Sequence, residues 1–268
     1  MQFPVIQHNR SKEFYRKDSV VTESPLRLVL IHTVRDTQQK VDLGITLCSP
    51  DDPCDLIRGW LYHHQLLEPK EDCQIHLPDN HSGMVVTATL QKDLTNSLNK
   101  ISHIGLRSSS CGYCGDLNPV TGNSVAPLSL DNTVEIDKRV LFDLDKAVLE
   151  QQDCFQSTGS IHAAAAFNLS GTLLDVREDI GRHNALDKLT GSLIEKRQDL
   201  HNSVLWLSSR MSFEMAHKAS VAGYPIVVSV GGPSSMAIQL CHHQRITLVG
   251  FCRENRYNLY TYPERIKS

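Results

Sequence analysis

No run of apolar residues in the 268-residue chain approaches the ~20 positions that a helix needs to span a bilayer. An excess of basic charge is missing too: 27 Lys and Arg stand against 30 Asp and Glu, a net charge of −3 with 13 His neutral. Bulk nucleic-acid binding asks for a strongly basic face, so no nucleic-acid partner is expected, although a small basic pocket is allowed. Residues Met1 to Glu23 hold no apolar core of an export signal. A cytoplasmic location with reduced thiols is therefore expected, without a membrane partner. Internal repeats and low-complexity segments are absent.

A secreted disulfide framework is missing as well. The eight cysteines (48, 54, 73, 111, 114, 154, 241 and 252) are scattered, and only Cys111 and Cys114 form a close pair. Cys48, Cys73, Cys154 and Cys241 read as inert core residues. Cys54 lies near a helix start with no evident partner. What is present is ordinary for a globular chain, with 40% hydrophobic and 21% charged residues in a length suited to one large or two small domains.

Residues 1–22 read as a flexible arm. Leu26, Leu28 and Leu30, then Val41, Leu43, Ile45 and Leu47, alternate with the two-residue period of strands, and Arg35 to Lys40 joins them into a hairpin. Asp52-Pro53 reads as a cap and first helical proline, opening a helix to about Leu67. His63 and His64 point in different directions on it, so at least one is expected in solvent. Met84 to Leu90 is a third strand, and residues 23–106 form a smaller α+β domain. Turn signals at Asn118-Pro119, Gly122-Asn123 and Ala126-Pro127 make 107–130 a linker. Residues 131–268 alternate helices and strands, which predicts an α/β domain with a mostly parallel sheet covered by helices. Asp179 is its expected cap for the helix that follows. Open α/β sheets bind ligands beyond the carboxyl ends of their strands. Ser208 to Ser212, Gly231 to Ser235 and Cys252 to Arg256 fall there, and Arg253 and Arg256 make a small phosphate site plausible beside the plainer reading of capped turns.

The stretch Ser108 to Gly115 carries the chemistry: Cys111 and Cys114 stand three positions apart among serines and glycines, where nothing builds a core. Such thiols read as exposed and reactive, with Arg107 the nearest charge favouring the thiolate. A zinc site needs four ligands, and this chain has no second CxxC, so no metal is expected. A thioredoxin-like dithiol normally follows a strand and opens a helix, whereas this pair is set between serines and Asn-Pro. A zinc deaminase places His-x-Glu before its Pro-Cys-x-x-Cys, whereas His162-Ala163-Ala164 lacks the Glu and follows the cysteines. His162 then reads as a core histidine. Sulfur carriage fits: Cys111 would take a sulfane sulfur from a donor persulfide, and Cys114 would activate it or resolve it as a disulfide. A redox switch remains open on flexibility alone.

Several segments together carry a resemblance. They are Ser110 to Gly115, Gly159 to Ala164, Glu178-Asp179-Ile180-Gly181-Arg182-His183-Asn184-Ala185-Leu186-Asp187-Lys188, Ser208-Ser209-Arg210 with Phe213-Glu214-Met215, and Leu248 to Arg253. From about Glu23 to the C-terminus the chain is similar to FdhD/NarQ, a family of sulfur carrier proteins required for formate dehydrogenase. The resemblance implies a cytidine-deaminase-like fold for the C-terminal domain, without zinc chemistry. It implies a sulfurtransferase that takes sulfur from a cysteine desulfurase as a Cys111 persulfide. The sulfur would pass to a bis-molybdopterin guanine dinucleotide, bound as substrate, before that cofactor enters formate dehydrogenase. The family's cofactor-binding segment falls on Phe251, Cys252, Arg253, Glu254, Asn255 and Arg256, where two arginines suit the phosphates of a guanine nucleotide. A homodimer is compatible with this. The alternatives are a non-catalytic chaperone of the cofactor and a dithiol redox protein using Cys111 and Cys114. The chain has Glu254-Asn255 where relatives often have glycine, and His64-Gln65-Leu66 where they commonly carry Glu-Gly.

Overall fold

A computed structural model of the chain describes residues 1–77, 84–102 and 134–268. Cys111, Cys114 and the 107–130 linker lie outside the described residues. The N-terminal segment, expected as a loose arm, is an antiparallel hairpin of β1 (Gln2–His8) and β2 (Glu13–Ser19). The alternating leucines then give β3 (Ser24–Val34) and β4 (Thr37–Cys48), paired antiparallel. Their connection is tighter than the polar run suggested. Arg35 and Asp36 take φ of 46° and 62°, so two residues turn the chain and the ladder extends through Thr37 to Lys40.

Helix α1 (Pro53–His63) starts at proline as expected. Asp52 does not cap it: its φ is 54° and its carboxylate faces Arg177 at 3.4 Å instead. Strands β5 (Gln74–His76) and β6 (Met84–Leu90) complete a four-stranded sheet of order β4-β3-β6-β5, and α2 (Thr95–Ser102) follows. Leu56, Ile57 and Leu61 of α1 close its core against Leu26, Leu28, Leu30, Val86 and Ala88. Strands β3 to β6 with α1 thus form an α+β unit.

Strand β7 (Ile136–Asp137) leads into α3 (Lys138–Leu149), capped by Asp137. A short α4 (Asp153–Thr158), not evident in the sequence, precedes β8 (His162–Asn168) and β9 (Leu173–Asp179). Then follow α5 (Arg182–Glu195), β10 (Ser203–Leu207), α6 (Phe213–Ala222), β11 (Ile226–Ser229), α7 (Ser235–His243), β12 (Thr247–Arg253), β13 (Arg256–Thr261) and β14 (Ile266–Lys267), which pairs with β7. The main sheet has the order β13-β12-β11-β10-β8-β9. It is mixed rather than mostly parallel: β10, β11 and β12 run parallel, whereas β8, β9 and β13 enter as antiparallel neighbours. The reason is loop length. The turns at Asn168–Thr172 and Glu254-Asn255 are too short for a crossover helix, so each must make a hairpin. Helices α5, α6 and α7 contribute to one core and α3 to the other.

The two sheets are joined through α1 and α5, which cross at glycines. A Cβ on Gly59 would lie 1.8 Å from the Asp187 carbonyl oxygen, and one on Gly191 would lie 1.9 Å from that of Asp55. Helix α5 is thus enclosed on all sides, and every residue from His183 to Ile194 is buried. Its polar residues need partners there. Asp179 is not the expected cap, because Gly181 holds that position. Its carboxylate pairs with Lys188 at 2.7 Å and accepts from the Ser49 N–H of the first unit at 3.0 Å. Asn184 donates to the Leu47 carbonyl at 2.8 Å, and Arg177 donates to Asp55 at 3.1 Å. Asp187 receives Lys218 at 2.6 Å and His63 Nδ1 at 2.6 Å. His64 is half-buried rather than solvated: its ring stacks on Trp60 with centroids 3.8 Å apart, and Nδ1 is bonded to the Trp60 carbonyl at 2.8 Å.

Candidate functional site

Parallel β10, β11 and β12 bring their carboxyl ends to one edge. Strand β8, running the other way, starts at that same edge, and β9 ends there. Backbone bonds join the loops across it. The Met211 N–H donates to Gly232 O at 3.3 Å, Ser234 N–H to Met211 O at 2.9 Å, Gly231 N–H to Ser209 O at 3.2 Å, and Phe251 N–H to Gly231 O at 3.1 Å. The three loops singled out in the sequence are therefore one surface. Three helices begin on it. Ser212 caps α6 through Met215 N–H at 3.4 Å, Ser234 caps α7 through Ala237 N–H at 3.2 Å, and α5 starts at Gly181 with no side-chain cap. Helix N-termini favour anions.

The Phe251–Arg256 segment is the hairpin tip of β12 and β13. Phe251 has φ of 52°, a conformation uncommon for an aromatic residue. Its exposed ring lies over Gly232, where a Cβ would come within 2.4 Å of Cζ. Arg253 and Arg256 face each other across the ladder and are exposed, and among the described residues neither forms an ion pair or side-chain hydrogen bond. Like charges directly opposite destabilise a hairpin, so an anion between them would be favourable. Glu254 and Asn255 are exposed at the turn. Cys252 differs from the rest: its side chain is buried in the core below α3, with Sγ 3.4 Å from the Leu141 carbonyl, so it does not reach the surface.

At the other end of the edge His162 is half-buried, with Nδ1 3.2 Å from Ser208 Oγ. Burial first, then the nearby Arg182 charge, lowers its pKa, against Asp179. Arg182 and His183 open α5 beside it. Burial, Lys218 and Arg182 hold the His183 imidazole neutral, with a pKa near 3. The Gly-Arg-His-Asn run stood out only as part of the family resemblance, and sequence reasoning gave Arg182 and His183 no place in the site; their contacts became legible only with the fold.

Every described cysteine has a raised pKa. Burial pushes Cys48, Cys241 and Cys252 up to about 12 and Cys73 to about 11, and raises Cys54 and Cys154 as well. None of these thiols is poised as a nucleophile. Among the described residues no helix is long and apolar enough to cross a membrane.

Fold and site define an α/β protein built on two main sheets, with a candidate ligand edge at the carboxyl ends of its central strands. The chain belongs to the FdhD/NarQ family, whose model matches residues 22–267. It is 35% identical over 267 residues to the sulfur carrier protein FdhD of Thermoplasma acidophilum, covering 98% of this chain and 92% of that protein. The namesake from Sulfolobus acidocaldarius is 33% identical over 270 residues, covering 99% of each. That of Streptomyces coelicolor is 35% identical over 269 residues, covering 94% of this chain and 90% of that one. The same fold occurs in the crystal structure of a chain from Desulfotalea psychrophila assigned as a formate dehydrogenase accessory protein. Its TM-score is 0.74 at 21% identity, with 100% of this chain and 99% of that one covered.

Proposed function

We propose that this protein is a sulfurtransferase that carries sulfur as a persulfide on Cys111 to a molybdenum cofactor, the bis-molybdopterin guanine dinucleotide destined for formate dehydrogenase. The observation that carries the reading is family membership across residues 22–267. The described cysteines support it by contrast, since burial raises the pKa of each. In the first step the Cys111 thiolate attacks the sulfane sulfur of a cysteine desulfurase persulfide. One S–S bond forms as another breaks, the donor cysteine leaves as thiolate, and no net oxidation occurs. In delivery, the Cys114 thiolate attacks the Cys111 sulfur and displaces the sulfane sulfur as hydrosulfide: that atom is reduced, the Cys114 sulfur is oxidised, and a dithiol reductant reopens the resulting disulfide before the next turn. The cofactor, as substrate, meets the Phe251–Arg256 hairpin through its nucleotide phosphates. The second unit keeps a cytidine-deaminase-like layout, and His162-Ala163-Ala164 lacks the Glu a deaminase needs.

The test is to incubate the full chain with a cysteine desulfurase and cysteine and to map added sulfur by peptide mass spectrometry. One sulfur atom is expected on the Cys111 peptide, and none on Cys111→Ala, whose far-UV spectrum and melting temperature stay unchanged. Normal loading of that variant would overturn the assignment. A cofactor chaperone predicts silent cysteine substitutions, and a dithiol redox protein predicts a Cys111–Cys114 disulfide without persulfide. Arg256→Ala is expected to weaken GDP binding about tenfold in calorimetry, the loss of one charge-assisted phosphate bond. Unchanged affinity would remove the hairpin from the binding site.

A further inference from the structure

The ligand edge has a second pole. The strand order turns back on itself between β8 and β10, the kind of junction where open α/β sheets bind ligands. There α5, 14 residues long, opens without a side-chain cap. Arg182, in its first turn, is half-buried and makes no ion pair or side-chain hydrogen bond among the described residues. His183 is only 7% exposed, and its Nε2 has no partner among the described residues. The imidazole lies near Arg182 of its own helix, His162 of β8 and Lys218 of α6, with Asp187 the acidic group in its surroundings. A buried polar atom without a partner is costly, and among the described residues this one sits beside a guanidinium with no ion pair, at a helix start whose first N–H groups have no intrahelical acceptor. Arg210, also without an ion pair or side-chain hydrogen bond among the described residues, stands between this pole and the Arg253–Arg256 hairpin and packs on Gly231. Strand spacing puts the two poles on the order of 15–20 Å apart.

We propose that the first turn of α5, with Arg182, His183 and His162, is a second anion subsite that takes a phosphate or pyrophosphate group. It rests on the cofactor reading above in one respect: the hairpin holds the ligand's other phosphates. The ligand class is then an elongated polyanion with two separated phosphate-bearing ends. An anion here supplies a partner for His183 Nε2, which has none among the described residues, and offsets the positive charge around it.

Imidazole NMR on the full chain labelled with ¹⁵N-histidine tests this with inorganic pyrophosphate as probe, the His183 signals being assigned through His183→Gln. Pyrophosphate is expected to shift the His183 ring nitrogens and raise the pKa of that ring. Arg182→Gln should weaken this response about tenfold, while Arg256→Gln and Arg197→Gln, an exposed site past the far end of α5, leave it unchanged. Three results would overturn the subsite: His183 signals that do not move at millimolar pyrophosphate, an equal loss in Arg182→Gln and Arg197→Gln, or an equal loss in Arg256→Gln. The GDP measurement on Arg256→Ala reports the hairpin separately, so either pole can fail without the other.

Discussion

At the scale of single residues, the junction between the two sheets concentrates histidines that burial keeps neutral. Desolvation is the leading cause at each: it holds His64 and His217 at about 4 and His183 at about 3, with Lys218 adding to all three. In the unfolded chain the same rings take a proton near ~6.5. Their folded values are depressed, so below ~6.5 the unfolded state binds more protons and stability falls with pH until the folded values are reached. Each ring contributes up to about 1.4 kcal/mol per pH unit in that window. Asp187 acts lower on the scale. Burial opposes its charge, but Lys218 and the His63 hydrogen bond outweigh it and hold the carboxyl at about 2. Its contribution is complete above ~3.9 and is lost as pH falls toward about 2. The urea midpoint is therefore expected to drop between pH 6.5 and 5.5, above the ~4.3 at which ordinary glutamates take up protons, and His64→Gln should flatten that slope. A midpoint independent of pH across this range would contradict neutral buried histidines.

At the scale of elements, the crossing of α1 and α5 tolerates no side chain at its centre. Gly191→Ala would drive a methyl group into the Asp55 carbonyl, so one helix must move. Overpacking of this kind costs about 3 kcal/mol, read as a fall in the urea midpoint at constant slope. A variant of wild-type stability would show that the helices are not held this close. These glycines mark the limit of what the sequence disclosed. The leucine alternation of β3 was legible because burial on one face of a sheet leaves a local period, and the fully buried β10 and β11 were legible as short continuous apolar runs. The loops at the carboxyl edge were legible from their glycines, prolines and serines. Asp52 and Asp179 were misread as helix caps because a carboxylate before a helix has a ready local meaning. Their actual partners, Arg177 and Lys188 with Ser49, come from the other sheet or from the far side of a turn, and only tertiary proximity reveals them. The specific run from Glu178 to Lys188 is for the same reason largely a bracket. Glu178 binds the first N–H groups of α4, Asp179 and Lys188 hold Ser49, Asn184 holds Leu47, and Asp187 gathers His63 and Lys218. Arg182 and His183 are its members turned toward the ligand edge.

At the scale of the molecule, that bracket makes the two sheets depend on each other. The Asp179–Lys188 pair is fully buried and bonded to Ser49 from both sides, by the carboxylate to its N–H and by the ammonium to its carbonyl at 3.0 Å. The chain carries its own reporters for this coupling, since its only two tryptophans lie on opposite sides of it. Trp60 packs against the core of the first sheet, and Trp206 belongs to the α3 side of the second, with Nε1 donating to Asp145 at 2.7 Å. Single-tryptophan chains made by Trp60→Phe and Trp206→Phe should therefore unfold in urea with coincident midpoints, as one cooperative unit. Asp179→Asn leaves the Lys188 ammonium buried without its countercharge, a loss of about 3–5 kcal/mol. Placed in each single-tryptophan chain, that change should separate the two midpoints, because the first sheet loses its anchor at Ser49 while its own core is untouched. Midpoints that already differ before the change would mean the sheets fold independently; midpoints that shift together after it would mean that the helix crossing alone, and not the buried ion pair, couples the two halves.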